Sequence, residues 1–276
     1  MALALAFGLL LIIAAPVGAV SAGHGASTSS LGYDISWPQC GRAFPIGQSF
    51  GVVGVNDGLA NNLNPCLGEY SAGKRSTSEL AWAWGSSGTT SLPKAALYVN
   101  TANPGSSVAD WPSSNVDPTG ATASDPYGAC TGGGSTACAW QYGWNRATQD
   151  QLWLQTAASQ VGVASGASAY RWWLDVETGN SWQTGTSGLA NNVADLQGMV
   201  AAFDSAGAAT GIYSTSYQWG VITGGSTAGN LAGVPDWIPG ARTARQASAN
   251  CSLKGFTGRV LSTQWVGTKF DEDVAC

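Results

Sequence analysis

The sequence predicts a single α/β domain, a TIM-type (β/α)8 barrel that is degenerate as (β/α)5β3. Apolar strand-like segments alternate with helical segments five times, and three more short strands follow. Some strands are continuous apolar runs, as expected for parallel strands buried on both faces. Eight strands in about 250 residues fit one closed barrel. A doubly wound open sheet is the alternative, but no G-x-G-x-x-G sequence opens a helix after any strand.

The eight expected strands are apolar segments bounded by Gly, Pro or polar residues. The first stops at Pro38, and the second is an unbroken apolar run with a polar tip. Polar residues at strand ends are of interest because a barrel carries its functional groups there. The expected strands are 31–37, 49–58, 95–101, 171–177, 210–214, 234–238, 258–265 and 269–274.

Helical spacing of apolar residues predicts the helices. The clearest is 189–206, where four apolar residues from Val193 to Phe203 form one stripe and Gly207 is suited to end the helix. The segment 102–138 is irregular, rich in Pro, Gly, Ser and Asp, and too long for a passive connection. It is therefore expected to be a functional rim loop or a decoration. The other expected helices are 76–84, 142–161 and 241–250.

The N-terminal residues are typical of a signal peptide. The segment 3–15 is almost wholly apolar, and small residues follow, so we expect cleavage after Ala22 or Ala19. The apolar part is short for a transmembrane span, although a retained anchor is the alternative. We expect secretion to the extracellular space or cell wall. The expected parts of the chain are a signal peptide (1–22), a flexible N-terminus (23–30) and one barrel domain (31–276).

Six cysteines fit an exported protein, because disulfides persist in oxidising compartments. Proximity in sequence favours the pairs Cys40–Cys66, Cys130–Cys138 and Cys251–Cys276 among the connectivities that six cysteines allow. The Cys130–Cys138 bridge would stiffen the 102–138 segment. The chain has no C-x-x-C pair and a single histidine, which argues against a zinc site, and we expect no metal.

Charge and histidine content exclude several classes of function. The net charge is −5 and no cluster of Lys or Arg is present, so binding to nucleic acid or to an anionic membrane is not expected. The single histidine, His24, lies in the N-terminal segment. Ser-His-Asp triads, Cys-His pairs and histidine-based metal sites are therefore excluded from the folded part. We expect a monomer without a cofactor, and no stable membrane insertion after cleavage.

Two carboxylates lie two residues apart in the apolar segment 171–177. In a strand, Asp175 and Glu177 would share a face with Trp173, because side chains alternate with a period of two. Burying two like charges is costly unless function requires them; a salt-bridged acid pair in an ordinary strand is the alternative. A barrel would bring this pair to one mouth with the polar residues at other strand ends. Those residues are Asp34, Asn56, Asp57, Asn100, Tyr213, Ser214, Asp236, Trp237, Gln264, Trp265, Asp271 and Asp273.

Converging acids without histidine suit glycoside hydrolysis. One carboxyl group protonates the leaving oxygen, while another group stabilises or attacks the oxocarbenium-like centre. Asp175 is expected to raise the pKa of Glu177, as a general acid at neutral pH requires. The 13 tryptophans fit a sugar ligand, because indole rings stack on pyranose faces, although a given tryptophan more often packs in a core. The tryptophans beside expected strand ends are Trp37, Trp182, Trp237 and Trp265.

A resemblance to glycoside hydrolase family 25, the Chalaropsis-type lysozymes, rests on short motifs. Its first strand is similar to Gly32-Tyr33-Asp34-Ile35-Ser36, and its Asp-x-Glu strand to Leu174-Asp175-Val176-Glu177. Its fifth strand and following turn are similar to Gly211-Ile212-Tyr213-Ser214 with Trp219. The resemblance covers most of 31–276 and is closest to a branch of secreted bacterial domains. Motifs in the order of the family's last three strands are Asp236-Trp237-Ile238, Gln264-Trp265 and Phe270-Asp271-Glu272-Asp273.

The resemblance implies an N-acetylmuramidase that cleaves peptidoglycan between N-acetylmuramic acid and N-acetylglucosamine. By position, Glu177 would be the general acid/base, and Asp175 would stabilise the transition state or orient the substrate acetamido group. Asp34 and Asp271 would complete the acidic floor. A catalytically inactive glycan-binding barrel and a secreted structural or interaction protein are the alternatives. The residues expected to contact the glycan are Trp37, Asn56, Asp57, Asn100, Trp182, Tyr213, Trp237, Gln264 and Asp273.

Two motifs differ from the family pattern. Asp57-Gly58 stands where the family usually has Glu-Gly, so this side chain is one methylene shorter. Asn100 lies near the place of a Tyr-His pair in the family's third strand. Both differences concern the expected substrate groove and leave the acid pair in place.

Overall fold

A computed structural model describes residues 31–58, 60–72 and 75–276 of the chain. The expected signal peptide (1–22) and flexible N-terminus (23–30) lie outside the described residues, so both stay predictions. In the described part of the chain, no helix has the length and apolar character needed to cross a membrane.

Ten strands and five α-helices make up the described fold. In chain order, the strands are β1 (Leu31–Ile35), β2 (Phe50–Gly54), β3 (Tyr70–Ala72), β4 (Arg75–Thr77), β5 (Ala95–Asn100), β6 (Arg171–Asp175), β7 (Ala209–Tyr213), β8 (Asp236–Ala241), β9 (Val260–Val266) and β10 (Asp271–Ala275). The helices are α1 (Glu79–Trp84), α2 (Thr136–Val161), α3 (Gly185–Ser205), α4 (Ser216–Thr223) and α5 (Ala244–Asn250).

Eight of these strands close into a barrel, which confirms the predicted α/β barrel class. Their order around the barrel is β1-β10-β9-β8-β7-β6-β5-β2, and β3 and β4 form a separate hairpin. Seven barrel strands run parallel, whereas β10 is antiparallel to both of its neighbours. The expectation of a parallel sheet was therefore wrong for this strand. Only residues 267–270 connect β9 to β10, and a parallel crossover needs a dozen residues or more.

The antiparallel direction of β10 decides which of its residues reach the mouth. The mouth is formed by the carboxyl ends of the seven parallel strands, so β10 contributes its first residues there. Asp271 pairs with Asp34 across the β1–β10 ladder, close to the carboxyl end of β1. Asp273 pairs with Gly32, one step deeper on the same inward face.

Several element boundaries differ from the sequence-based expectation. The segment expected to begin the first helix instead forms β4, and Ser78 caps α1 by accepting a hydrogen bond from the backbone N–H of Ala81 at 3.1 Å. Helix α4 was not expected. Strand β8 covers Asp236–Ala241 rather than 234–238, which moves Asp236 from the end of the strand to its beginning. Gly207, with a φ of 70°, follows α3 as expected.

Two apolar layers support the barrel. Adjacent residues of β6 show the division, because Trp172 packs outward, with its ring 4.4 Å from that of Phe203 on α3. Trp173 packs inward, with its ring 5.7 Å from that of Trp237 on β8. Both tryptophans of β6 are fully buried. The inner layer fills the barrel below its mouth, so closely packed side chains lie beneath the acids of β6.

The disulfides join Cys40 to Cys66, Cys130 to Cys138 and Cys251 to Cys276, which are the pairs expected from sequence proximity. The Cys130–Cys138 bridge ties the 102–138 segment to the start of α2. This segment packs along α2 through a stack of Trp111 on Tyr142 and an ion pair between Asp110 and Arg146 at 2.9 Å.

Candidate active site

An acidic cavity of about 170 Å³ opens at the mouth of the barrel. It holds the four acids that the sequence placed in the catalytic site, and they come from β1, the end of β6 and the start of β10. No residue of 102–138 contributes to its lining among the described residues. The lining residues are Asp34, Tyr98, Asp175, Glu177, Tyr213, Trp237, Gln264 and Asp271.

A second cavity of similar volume, about 170 Å³, adjoins the acidic one. The two share Asp34, Tyr98 and Asp271 as lining residues. The second cavity continues over the short 3-10 helix Trp37–Gln39 toward Asn100. The shared residues make the two cavities parts of one groove that crosses the mouth.

The two acids of β6 lie close enough to interact. Asp175 ends the strand, and Glu177 follows two residues later. Burial, then interaction with the Glu177 carboxyl group, and finally the charge of Asp34, raise the pKa of Asp175 well above its usual value. Asp175 Oδ1 is buried without a hydrogen-bond donor among the described residues. A carboxyl group with a raised pKa beside a second acid is an arrangement suited to proton transfer.

Asp34 is held in place by a chain of side chains across the barrel. Gln264 Nε2 donates to Asp34 Oδ2 at 2.9 Å, and Tyr213 Oη donates to Gln264 Oε1 at 2.9 Å. Burial and the Asp271 carboxylate raise the pKa of Asp34 to about 7, although hydrogen bonds from Gln264 and Asp273 oppose the shift. Asp34 can therefore change its charge near neutral pH.

The two acids of β10 occupy different depths. Asp271 lines both cavities, and partial burial raises its pKa. Asp273 is fully buried below the cavity, where Trp237 Nε1 donates to its Oδ1 at 2.8 Å. Burial is the main cause that raises the pKa of Asp273 well above its usual value, with the charge of Asp34 next. Asp273 was expected to contact the substrate, but its position puts it under the site.

The polar residues after β2 do not line the cavities as expected. Asn56 is fully buried, and its amide donates to the Asn100 carbonyl at 3.1 Å and accepts from the Asn100 N–H at 2.8 Å. Asn56 therefore ties the end of β2 to the end of β5. Asn100 lines the second cavity, and with its amide turned over it donates to Asp175 Oδ2 at 3.0 Å. Asp57 lines neither cavity, whereas the next residue, Gly58, lines the second.

The tryptophans expected to hold sugar divide into two groups. Trp37 is 48% exposed in the second cavity, and Trp237 lines the acidic cavity. Trp182 lines neither, because it packs on the core and donates from Nε1 to the Glu177 carbonyl at 2.8 Å. Trp182 thus supports the backbone of Glu177. Trp265 is buried in a small cluster with residues of β8, α5 and β10, so it is a packing residue.

Tyr98 is a site residue that the sequence reading missed. It lines both cavities from β5, two residues before Asn100 and on the same face. The period of two from Asn100 is the signal that could have identified it. Gly54 on β2 leaves room for this ring, because a side chain at that position would come within 2.9 Å of Tyr98 and 2.6 Å of Ser36 Oγ.

Asp236 is not a mouth residue, which corrects its expected place at a strand end. It begins β8, at the opposite end of the barrel, and is fully buried. Backbone N–H groups of Phe256, Thr257 and Gly258 donate to its Oδ2 at 2.7, 3.3 and 3.4 Å, and the Thr257 hydroxyl donates to its Oδ1. Asp236 therefore holds the 256–258 turn against the barrel.

One group of potential metal ligands stands out in the described ranges: Cys40, Cys66 and Glu79. The two cysteines are joined in a disulfide and lack the thiolates that bind metal. This group is therefore not a metal site.

A family model described as "Lysozyme-like protein 1" matches residues 145–238. Over these residues the chain is similar to lysozyme-like proteins. The matched stretch contains most of α2, the acid pair of β6, and β7, so it carries two of the four acids of the cavity. The match confirms the resemblance to lysozymes over these residues and supports a glycosidase. No curated protein matches the chain.

Solved structures of lysozymes and endolysins are similar to this chain at low identity. The bacterial lysozyme from Streptomyces coelicolor is 13% identical, covering 90% of this chain and 93% of its own, with a TM-score of 0.45. The catalytic domain of endolysin ply40 from bacteriophage P40 of Listeria monocytogenes is 13% identical, covering 91% and 95%, with a TM-score of 0.47. The glycosyl hydrolase 25 GHIP of Streptococcus pneumoniae is 15% identical, covering 89% and 86%, with a TM-score of 0.41.

Proposed function

We propose that this protein is a secreted N-acetylmuramidase, a glycoside hydrolase that cleaves the glycan strand of peptidoglycan by carboxylate acid/base catalysis. The observation that carries the proposal is the gathering of Asp34, Asp175, Glu177 and Asp271 around one open cavity. The lysozyme-like match over residues 145–238 supports it, because that stretch includes Asp175 and Glu177.

In the proposed reaction, the Asp175–Glu177 pair supplies the proton. Glu177 lies beyond the end of β6 and would pass the proton to the glycosidic oxygen as the bond breaks. Asp175 would then hold the negative charge next to the oxocarbenium-like centre, or orient the substrate acetamido group. After departure of the leaving group, Glu177 would accept a proton from the attacking water.

Asp34 and Asp271 would add negative potential on the other side of the cavity. A developing oxocarbenium ion is positive, so preorganised carboxylates favour the transition state over the neutral substrate. The groove across both cavities would hold the glycan strand, with Trp37 as a face for a sugar ring. Tyr98 would offer its hydroxyl group to the sugars.

The test is hydrolysis of purified peptidoglycan, followed by turbidity and by release of reducing ends. The wild-type protein is expected to clear the suspension and release reducing ends, and Glu177→Gln to lose this activity by about 10²-fold or more. Glu272→Gln is the matched control, because Glu272 is a β10 acid outside the cavity lining. Absence of reducing-end release by the wild-type protein would refute the proposed muramidase activity.

A glycan pull-down in the same experiment separates the alternatives. Retained binding without hydrolysis by both wild type and Glu177→Gln would identify an inactive glycan-binding barrel. Failure of both proteins to bind or cleave would favour a structural or interaction role. Secretion is tested separately by sequencing the N-terminus of exported protein, which is expected to begin at Gly23 after cleavage behind Ala22, or at Val20 after cleavage behind Ala19.

A further inference from the structure

A fully buried carboxyl group lies directly below the acidic cavity. Asp273 is 0% exposed and is absent from the lining of both cavities. On the barrel wall it pairs with Gly32 of β1 on one side and with Gln264 of β9 on the other. It therefore sits between the strands that carry Asp34 and the amide that binds Asp34.

The two oxygens of Asp273 have unlike surroundings. Oδ1 accepts a hydrogen bond from Trp237 Nε1 at 2.8 Å. Oδ2 is buried and has no donor among the described residues, while the carboxyl group of Asp34 interacts with that of Asp273. A bare carboxylate oxygen facing a second carboxylate would be strongly unfavourable in a buried place. A proton on Oδ2 resolves both problems, because it turns this oxygen into a donor toward Asp34.

Asp34 is thereby bound from two sides. The Tyr213 hydroxyl donates to Gln264 Oε1, which fixes the amide so that Nε2 points to Asp34 Oδ2. A protonated Asp273 would supply the second hydrogen bond. Two donors on one carboxylate favour its ionised form and restrict its rotation.

The other groups that face Asp34 work against ionisation. They are the carboxyl groups of Asp271 on β10 and Asp175 on β6, whose charges interact with that of Asp34. The hydroxyl groups of Tyr98 and Tyr213 line the same cavity. No cation lines either cavity in the described part of the chain, so donated hydrogen bonds carry the stabilisation of charge on Asp34.

We propose that Asp273 is a positioning residue that keeps its proton and donates a permanent hydrogen bond to Asp34, which favours the ionised form of Asp34 and fixes its orientation for the reaction. The inference rests on the proposed function, since it assigns the work of Asp34 to that reaction. Asp273 itself does not touch the substrate. It acts through Asp34 from beneath the cavity floor.

If Asp273 acts as a hydrogen-bond donor, asparagine should replace it without loss of the hydrogen bond to Asp34. The amide oxygen of an asparagine can accept from Trp237 Nε1, and its NH₂ group can donate to Asp34 without needing a proton from solvent. Leucine has a similar size and offers neither group. A residue that only fills space would accept either replacement equally.

The first experiment compares the pH dependence of kcat/KM for wild type, Asp273→Asn and Asp273→Leu on peptidoglycan fragments. We expect kcat/KM to fall at acid pH as Asp34 gains a proton. We expect Asp273→Asn to keep the wild-type acid limb, and Asp273→Leu to move it upward by about one pH unit. An unchanged limb in Asp273→Leu, or an equal shift in both variants, would overturn the proposal.

A second measurement does not depend on activity or on the leucine variant. The infrared difference between wild type and Asp273→Asn at pH 7 is expected to show the C=O stretch of one protonated carboxyl group that the variant lacks. Glu272→Gln serves as the control, with no such band in its difference spectrum. Absence of the band for Asp273 would refute its protonation, whether or not the protein proves to be a muramidase.

Discussion

Two aspartates of the barrel are both 0% exposed and yet have opposite surroundings. Asp236, at the base, accepts three backbone N–H groups and one hydroxyl. Asp273, below the mouth, accepts one indole N–H and otherwise faces Asp34. Burial raises the pKa of both groups, but at Asp236 the donated hydrogen bonds oppose the rise.

The difference separates a structural acid from functional ones. A buried carboxylate that only holds a turn is surrounded by donors, because an unsatisfied buried charge costs several kcal/mol. At the mouth, Asp34, Asp175, Glu177 and Asp273 form carboxyl–carboxyl contacts instead. Such an arrangement destabilises the fold, and it is common where a site needs shifted pKa values. The comparison predicts opposite responses to the same substitution at the two ends.

The largest expected effect is that of Asp175→Asn at the mouth. Activity on peptidoglycan should fall by about 10²-fold or more, because the variant loses the carboxyl group proposed to stabilise the oxocarbenium-like centre. The free energy of unfolding should rise by about 1 kcal/mol, since a buried ionisable group is removed. Reducing-end assays and urea denaturation measure the two quantities. A loss of both activity and stability would contradict the distinction between mouth and base.

The matched substitution at the base, Asp236→Asn, should do the reverse. An amide offers one acceptor oxygen where four donors converge, so we expect a loss of about 2–3 kcal/mol in the free energy of unfolding. The space around the Asp236 carboxylate is small, because a side chain at Gly255 would come within 2.0 Å of Asp236 Oδ2. Activity per folded molecule should stay at the wild-type level. A free energy of unfolding equal to that of wild type would show that hydrogen bonds to the Asp236 carboxylate do not depend on its negative charge.

The sequence was sufficient to predict the barrel and the acids of its mouth. Buried parallel strands read as apolar runs, and a strand that carries Asp175 and Glu177 after Trp173 shows its inward face by alternation alone. The absence of histidine from 31–276 left carboxylates as the main candidates for proton transfer. The barrel class and the gathering of four acids at its mouth are confirmed, because both depend only on local patterns, whereas proton transfer by carboxylates stays a prediction.

The predictions that were wrong concern positions that depend on contacts between distant segments. A shift of two residues in β8 turned Asp236 from an expected mouth residue into a base residue, because the strand boundary was set by pairing with β9. The burial of Asn56 and of Asp273 arises from partners on other strands. The direction of β10 is different: the short 267–270 connection already required an antiparallel strand.

A smaller effect concerns the pH dependence of stability. The pKa of Asp34 is about 7 in the fold and about 4 in the unfolded chain. Between these values the folded state binds more protons, so the free energy of unfolding decreases as pH rises from about 4 to 7. Asp34→Asn should reduce this slope by up to about 1.4 kcal/mol per pH unit. Urea denaturation across this range, with Glu272→Gln as control, measures it; an unchanged slope would show that Asp34 is ionised throughout.

The smallest effect is expected for Tyr213→Phe, which tests whether the Tyr213 hydroxyl orients the Gln264 amide that donates to Asp34. The variant keeps the ring that packs 4.5 Å from the Trp237 ring but removes the hydroxyl that orients Gln264. The Gln264 amide could then rotate and turn its oxygen toward Asp34. One hydrogen bond of about 0.5–1.5 kcal/mol corresponds to a two- to tenfold loss of kcat/KM. The loss should grow toward acid pH, because Asp34 gains a proton more easily; a loss that is equal at every pH would place the hydroxyl on the substrate instead.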